Sequence, residues 1–290
     1  MSFTRRSILA AAAALPFAGA VAADTSEAAI AALESRNGGR LGVAALDTGA
    51  GKRIRHRADE RFPMCSTFKM LLAARVLQKV DEGHETLARR ITYDASLFPP
   101  GDFYAPVSRA HLKDGGMTVE GLCAAAVEYS DNGAANLLLD SVGGPPAVTA
   151  FARSIGDPVT RLDRHELELN FFTPGDPRDT TTPLAMMDDL NRLLLGDKVL
   201  SPTSRQRLTG WMLDCKTADG RIPAGLPKDW RSANKTGSYP EQGSTNDIAV
   251  IWPPGRKPIL VAAYYTGSKA KPDVLDGVLA EVGRIVTASL

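Results

Sequence analysis

The stretch of this 290-residue chain that decides its interpretation is RLDRHELELN, residues 161–170, with Glu166 near its middle. Three other short blocks accompany it: STFK at 66–69, SDN at 130–132 and KTG at 235–237. Together the four blocks can supply a nucleophilic serine, a proton relay, an anion clamp and a carboxylate that activates water. Without the carboxylate they would make an enzyme that acylates itself, and with it they would make one that turns over.

The Ser-x-x-Lys pattern needs its helical context to be informative. Ser66 and Lys69 stand three residues apart at the start of an expected helix, so both project from one face, and the helix N-terminus adds positive potential. The pattern recurs at Ser232 and Ser268. Ser232 falls in an expected strand, where residues three apart point to opposite faces, and Ser268 is expected in a charged, solvated turn. Only Ser66 therefore has the geometry of a nucleophile beside a base.

The first 22 residues have the features of a twin-arginine (Tat) signal peptide. Arg5 and Arg6 precede an apolar run from Ile8 to Val21, which ends in small residues. A single membrane anchor is the alternative, but the run is short of the roughly 20 apolar residues that span a bilayer. We expect cleavage near Ala22 or Ala23, export to the periplasm and no membrane attachment of the mature chain.

Charge and composition restrict the partners. The chain is 44% hydrophobic, enough for a large core, and loss of Arg5 and Arg6 takes its net charge from +1 to −1. No basic stripe remains for nucleic acid. The four histidines lack the close pairing of a zinc site, so we expect no metal, and the three cysteines allow at most one disulfide. Cys65, beside Ser66, is expected to be a buried thiol. We expect a monomer that acts on small molecules.

Hydrophobic periodicity predicts a two-lobed fold, part α/β and part all-α. The α/β lobe, residues 23–60 and 213–290, would hold a five-stranded antiparallel sheet flanked by the terminal helices. Its expected strands are 41–46, 52–56, 231–235, 247–252 and 259–266. The helical lobe, residues 61–212, would include an irregular active-site loop over 161–179. We expect the active site at the junction of the lobes.

The ordered set of blocks resembles the class A serine β-lactamases, over nearly the whole mature chain. The resemblance implies a β-lactamase/transpeptidase-like fold and hydrolysis of the β-lactam amide bond of penicillins and cephalosporins, which confers resistance. It implies no cofactor. Ser66 would be the nucleophile that forms the acyl-enzyme, and Lys69 would help to activate its hydroxyl. Ser130 would protonate the departing nitrogen. Glu166 would activate the deacylating water with Asn170. Whether Lys69 or Glu166 is the acylation base stays open.

The resemblance also implies binding roles. Asn132 would hold the acylamino group, and Lys235 and Thr236 would bind the substrate carboxylate, with Arg221 beside it. The backbone N–H groups of Ser66 and Ser238 would form the oxyanion hole. The other expected site residues are Gly237 beside this hole, Tyr104 at the cleft mouth, and the loop ion pair Arg164 and Asp179.

Three departures leave the substrate spectrum open. Asn234 replaces an acidic residue often found before the KTG block, and the segments 97–101 and 239–243 are unusual. Three alternative functions differ in their reaction with β-lactams. A penicillin-binding transpeptidase and a β-lactam sensor would both stall as acyl adducts, and a periplasmic solute-binding protein would not react at all.

Overall fold

The computed structural model describes residues 18–290, with side chains from residue 25. Nearly unbroken apolar runs form its central sheet. The predicted twin-arginine motif and most of its apolar run lie outside these residues. The strands are β1 Arg40–Asp47, β2 Arg53–His56, β3 Phe62–Pro63, β4 Arg90–Thr92, β5 Gly116–Thr118, β6 Thr180–Thr181, β7 Arg231–Tyr239, β8 Ser244–Trp252 and β9 Ile259–Thr266. Five of them form one antiparallel sheet in the order β2-β1-β9-β8-β7, which confirms the predicted sheet.

Helices cover both faces of this sheet. They are α1 Ala18–Asn37, α2 Phe68–Asp81, α3 Pro106–Ala110, α4 Val119–Glu128, α5 Asn132–Val142, α6 Pro145–Ser154, α7 Pro183–Leu190, α8 Pro202–Leu213 and α9 Pro272–Ser289. Leu41 and Val43 face a core shared with α1 and α9, whereas Ala44 faces the core of the helical lobe. Because both faces are buried, the strands carry apolar residues at successive positions, and each buried valine or leucine contributes about 1.5–3 kcal/mol.

Helix α2 is buried nearly all round: each of its first ten residues except Arg75 is buried. A helix that is apolar all round belongs in the interior of a protein. The 3-10 turn Cys65–Thr67 leads into α2, so Ser66 stands where the central helix meets the sheet.

Two expectations about the last third of the chain were wrong. The KTG block lies within β7 instead of ending it, because β7 and β8 pair without interruption from Arg231–Trp252 to Tyr239–Ser244. Ser268 is buried instead of solvated: its hydroxyl contacts the Asn37 carbonyl and accepts from the Ala270 N–H. Both departures arise from tertiary pairing, which local sequence does not report.

Two further expectations concern the Cys65 thiol and the membrane. Cys65 and Cys123 are buried, and all three cysteines are free thiols. Burial raises the pKa of the Cys65 thiol far above its usual range, so it is not a thiolate nucleophile. Over residues 18–290, none of the helices combines the length and apolar character that crossing a membrane requires.

Candidate active site

The four blocks meet in one cleft of about 380 Å³ between the sheet and the helices. Predicted site residues that line it are Ser66, Tyr104, Ser130, Asn132, Glu166, Asn170, Arg221, Thr236, Gly237 and Ser238. Lys69 and Lys235 are fully buried beside it. A larger cavity of about 790 Å³ is lined by Phe172 and Arg61 among others, but no residue of the four blocks lines it. The chemistry therefore identifies the smaller cleft as the site.

Gly237 allows strand β7 to approach the turn that carries Ser66. A Cβ atom at Gly237 would lie 2.7 Å from the Met64 carbonyl oxygen and 3.1 Å from the Ser66 nitrogen. The first distance is shorter than real Cβ atoms show and the second is tight, so a larger residue at this position would force the Met64 backbone or β7 to shift. This approach brings the backbones of Ser66 and Ser238, the expected oxyanion-hole residues, to the same cleft.

Lys69 contacts four oxygens. Its Nζ lies 3.0 Å from Ser66 Oγ and 2.9 Å from Glu166 Oε1. It also lies 2.8 Å from the Ser130 carbonyl oxygen and 2.6 Å from Asn132 Oδ1. An ammonium group has three N–H donors, so it cannot donate to all four at once. Lys69 thus stands where a proton can pass between Ser66 and Glu166.

Glu166 is buried and held at both its backbone and its carboxylate. The Ser66 hydroxyl donates to Oε1 at 3.2 Å, and Asn170 Nδ2 donates to Oε2 at 2.8 Å. Asn136 Oδ1 accepts a hydrogen bond from the Glu166 N–H at 3.0 Å, and Asn136 Nδ2 donates to the Glu166 carbonyl oxygen at 3.1 Å. Asn170 Oδ1 is buried and has no protein partner in the described chain, which leaves one acceptor beside the carboxylate.

Asn136 is a site residue that the sequence interpretation missed. It lies one helical turn after Asn132 on α5, so the two amides share a helix face. The four-residue spacing from Asn132 was the only sequence signal for Asn136. Its hydrogen-bond partner, Glu166, lies 30 residues away in the chain.

The expected ion pair closes the neck of the loop. Arg164 Nε lies 2.6 Å from Asp179 Oδ2, and Asp179 Oδ1 accepts the N–H groups of Asp163 and Arg164. The Asp179 side chain is 1% exposed. These charge-assisted bonds hold the two ends of the Glu166 segment together.

Ser130 joins the two lysines. Its Oγ accepts from Lys235 Nζ at 2.9 Å, while its carbonyl oxygen accepts from Lys69. The residue has φ +61°, an uncommon conformation for a non-glycine residue that recurs at functional sites. Asp131 fixes it: this buried carboxylate caps α5 through the Ala134 N–H and accepts two N–H groups and a hydroxyl from the start of α3.

Asn234 does not face Lys235, because adjacent strand residues point to opposite faces. Its amide donates to both carboxylate oxygens of Asp247, at 3.1 and 3.0 Å. Burial raises the pKa of Asp247 to about 7, and burial lowers the pKa of Lys235 to about 7. The Asn234 departure therefore acts first on Asp247, a buried acid that the sequence interpretation did not identify.

Arg221 reaches the cleft, but protein groups hold its guanidinium. It donates to the carbonyl oxygens of Gly237 and Asn246, to Ser238 Oγ at 2.6 Å, and to Asp276 at 2.9 Å. It is buried and adds positive potential beside Thr236. By contrast, Tyr104 is 53% exposed at the cleft mouth.

Comparisons with known proteins agree with this geometry. The sequence profile of a family described as "Beta-lactamase enzyme family" matches residues 25–290. Beta-lactamase L2 of Stenotrophomonas maltophilia is 52% identical over 267 residues, which are 91% of this chain and 86% of that protein. Carbapenem-hydrolyzing beta-lactamase KPC of Klebsiella oxytoca is 43% identical over 293 residues, covering 100% of this chain and 98% of that protein.

A solved structure agrees as well. The class A beta-lactamase of the last common ancestor of Gram-negative bacteria superposes with a TM-score of 0.87 at 61% identity. The match covers 91% of this chain and 98% of the other. With the sheet, the helical lobe and the Ser66–Lys69–Glu166 cluster in place, the chain belongs to the class A serine β-lactamases.

Proposed function

We propose that this cleft hydrolyses penicillins and cephalosporins through an ester on Ser66, with Glu166 driving the release of that ester. β-Lactam hydrolysis is the activity of the family to which the chain belongs, and resistance to these antibiotics is its consequence. One observation supports the residue assignment above all others: the Glu166 carboxylate lies 3.2 Å from Ser66 Oγ and 2.9 Å from Lys69 Nζ.

Acylation begins when Ser66 Oγ attacks the β-lactam carbonyl carbon. Lys69 and Glu166 both contact Ser66, so either can accept its proton. The backbone N–H groups of Ser66 and Ser238 stabilise the developing oxyanion, and losing one such donor typically costs roughly 10²–10³ in rate. The carbon–nitrogen bond then breaks as Ser130 passes its proton to the departing nitrogen. The proton taken from Ser66 is relayed through Lys69, which contacts Ser130, to the Ser130 hydroxyl oxygen, and this leaves Glu166 ionised for the next step.

Deacylation requires a water beside the ester. Glu166 accepts a proton from this water, and the resulting hydroxide attacks the ester carbonyl. The bond between that carbon and Ser66 Oγ then breaks, and Ser66 Oγ takes the proton back from Glu166. Asn170 supports this role because its amide fixes Glu166 and its Oδ1 remains available to bind the water. A carboxylate in this position is what separates an enzyme that turns over from one that stalls.

Substrate anchoring falls to the opposite wall. Lys235 and Thr236, with the Arg221 charge behind them, would bind the carboxylate of the substrate, and Asn132 would bind its acylamino group. Thr236 is oriented by Thr217, 2.5 Å away between hydroxyl oxygens, a cleft residue absent from the sequence assignment.

The test of the proposed function is turnover of a chromogenic cephalosporin. The purified mature protein should hydrolyse many equivalents per active site. A burst of one equivalent followed by silence would instead indicate a transpeptidase or a sensor, and no reaction would indicate a binding protein.

The pH profile tests the role of Lys235. Since its pKa is about 7, kcat/KM for carboxylate-bearing substrates should decline as the pH rises through about 7 and the ammonium is lost. Lys235→Arg should remove this alkaline limb, because a guanidinium stays charged over the whole range. A limb that persists in Lys235→Arg would assign the titration to another group, such as Asp247.

We further propose periplasmic location, Tat export and a monomeric mature enzyme. Arg5 and Arg6 support the export route, and replacing both with lysine should retain the protein in the cytoplasmic fraction.

Sedimentation velocity tests the monomeric state of the mature enzyme, and a dimer mass would contradict it. The lobe boundaries, 23–60 with 213–290 against 61–212, predict two units with distinct hydrogen-exchange protection, and uniform protection would contradict them.

A further inference from the structure

The turn after β7, Pro240–Gln242, is hydrogen-bonded to the second half of the active-site loop, at Phe172. The Phe172 N–H donates to Gln242 Oε1 at 2.9 Å, and Gln242 Nε2 donates to the Phe172 carbonyl oxygen at 2.9 Å. One amide side chain thus satisfies both backbone groups of one residue, as a neighbouring strand would. We call this pair of bonds the Gln242 clamp.

The clamp has a fixed base on the sheet side. The Gln242 carbonyl oxygen accepts the Gly267 N–H at 3.0 Å, just after β9 ends. Gly243 packs so closely on this segment that a Cβ there would lie 1.8 Å from the Ser268 carbonyl oxygen. Close packing leaves the turn little room to move, so it can serve as an anchor.

Within the loop, Arg164 Nη2 donates to the Phe171 carbonyl oxygen at 2.7 Å and so ties this segment to the neck. In the described part of the chain, Gln242 supplies the hydrogen bonds that connect residues 171–176 to groups outside the loop. An edge-to-face contact between the rings of Phe171 and Tyr239, with centroids 5.4 Å apart, strengthens the same junction. Phe172 follows Asn170 by two residues, and Asn170 holds the Glu166 carboxylate.

Open space adjoins the clamp. Phe172 and Gln242 line the cavity of about 790 Å³, which shares no lining residue with the catalytic cleft. A loop released from Gln242 could move into this space without displacing packed side chains. Any such shift would change the distance from Asn170 and Glu166 to the ester on Ser66.

We propose that Gln242 is a positioning residue for deacylation, holding the Glu166–Asn170 face of the loop at a fixed distance from β7 through the backbone of Phe172. This inference rests on the proposed function. Acylation can proceed with Lys69 as the base, and the clamp does not directly hold Ser66, Lys69 or β7. Loss of the clamp should therefore slow ester hydrolysis more than ester formation.

Steady-state kinetics can isolate that effect. In an acyl-enzyme scheme, a slower deacylation step lowers kcat and KM in the same proportion and leaves kcat/KM unchanged. Gln242→Met keeps the length of the side chain and removes both hydrogen bonds. We expect kcat and KM for a penicillin to fall together by about tenfold, with kcat/KM within about twofold of the wild type.

The control is Gln206→Met, which replaces an exposed glutamine on α8 and should leave all constants unchanged. Wild-type constants in Gln242→Met, or a fall confined to kcat/KM, would overturn the proposal, as would a lowered Tm with unaltered kinetics. Glu166→Gln is measured in the same series. If that variant turns over normally, the proposed function fails, whereas a trapped Glu166→Gln beside a normal Gln242→Met contradicts the clamp alone.

Discussion

Ser66→Ala should abolish β-lactam hydrolysis, lowering kcat on the order of 10⁶-fold. The hydroxyl is the only cleft group placed to form an ester beside both Lys69 and Glu166, at 3.0 and 3.2 Å, in the described chain. Removing the nucleophile of a catalytic unit removes the benefit of its activating groups as well. Hydrolysis of a chromogenic cephalosporin measures the loss, and intact-mass spectrometry measures the missing adduct.

The chain offers a matched control for this substitution. Ser232 begins another Ser-x-x-Lys sequence, but it lies in β7, paired with Ile251, away from the cleft lining. Ser232→Ala should keep wild-type kcat and KM. Retention of turnover or of a covalent adduct by Ser66→Ala would remove Ser66 from the assigned role.

Glu166→Gln should lower the deacylation rate by about 10²–10⁴-fold, the typical contribution of a positioned general base. Glutamine keeps the shape of the side chain, and its backbone would remain bonded to Asn136. Single-turnover measurements with a penicillin would separate the two steps. Acylation should continue at a measurable rate if Lys69 can serve as the base, and it should fall in parallel if Glu166 is needed for both steps.

Glu168→Gln provides the comparison, because Glu168 is an exposed carboxylate two residues away on the same loop. Its kinetic constants should match those of the wild type. Equal losses in the two variants would attribute the effect to loop charge instead of to a base at Glu166.

The reacting groups were predictable because short sequence blocks encode them locally. Ser66 and Lys69 share a helix start, and the SDN block leads into the start of α5. The five strands were predictable in number because runs such as Leu41 to Leu46 are apolar at successive positions. Sequence alone sufficed wherever a residue and its partner lie within one helical turn or one strand.

The supports of those groups were not predictable, because their partners are distant in the chain. Asn136 binds Glu166 across 30 residues, and Gln242 binds Phe172 across 70. Asp247 is a buried acid only because β8 pairs with β7 and the helices cover the sheet. Tertiary pairing also placed the KTG block inside β7, beyond the strand end expected at residue 235.

The most direct test of the account is the mass of the Glu166→Gln protein after mixing with an equimolar penicillin. We predict a persistent increase of one intact substrate mass, located by peptide mapping on the peptide that contains Ser66, while the wild-type protein returns to its original mass. A Glu166→Gln protein that sheds the adduct as quickly as the wild type would contradict the claim that this carboxylate drives hydrolysis of the ester.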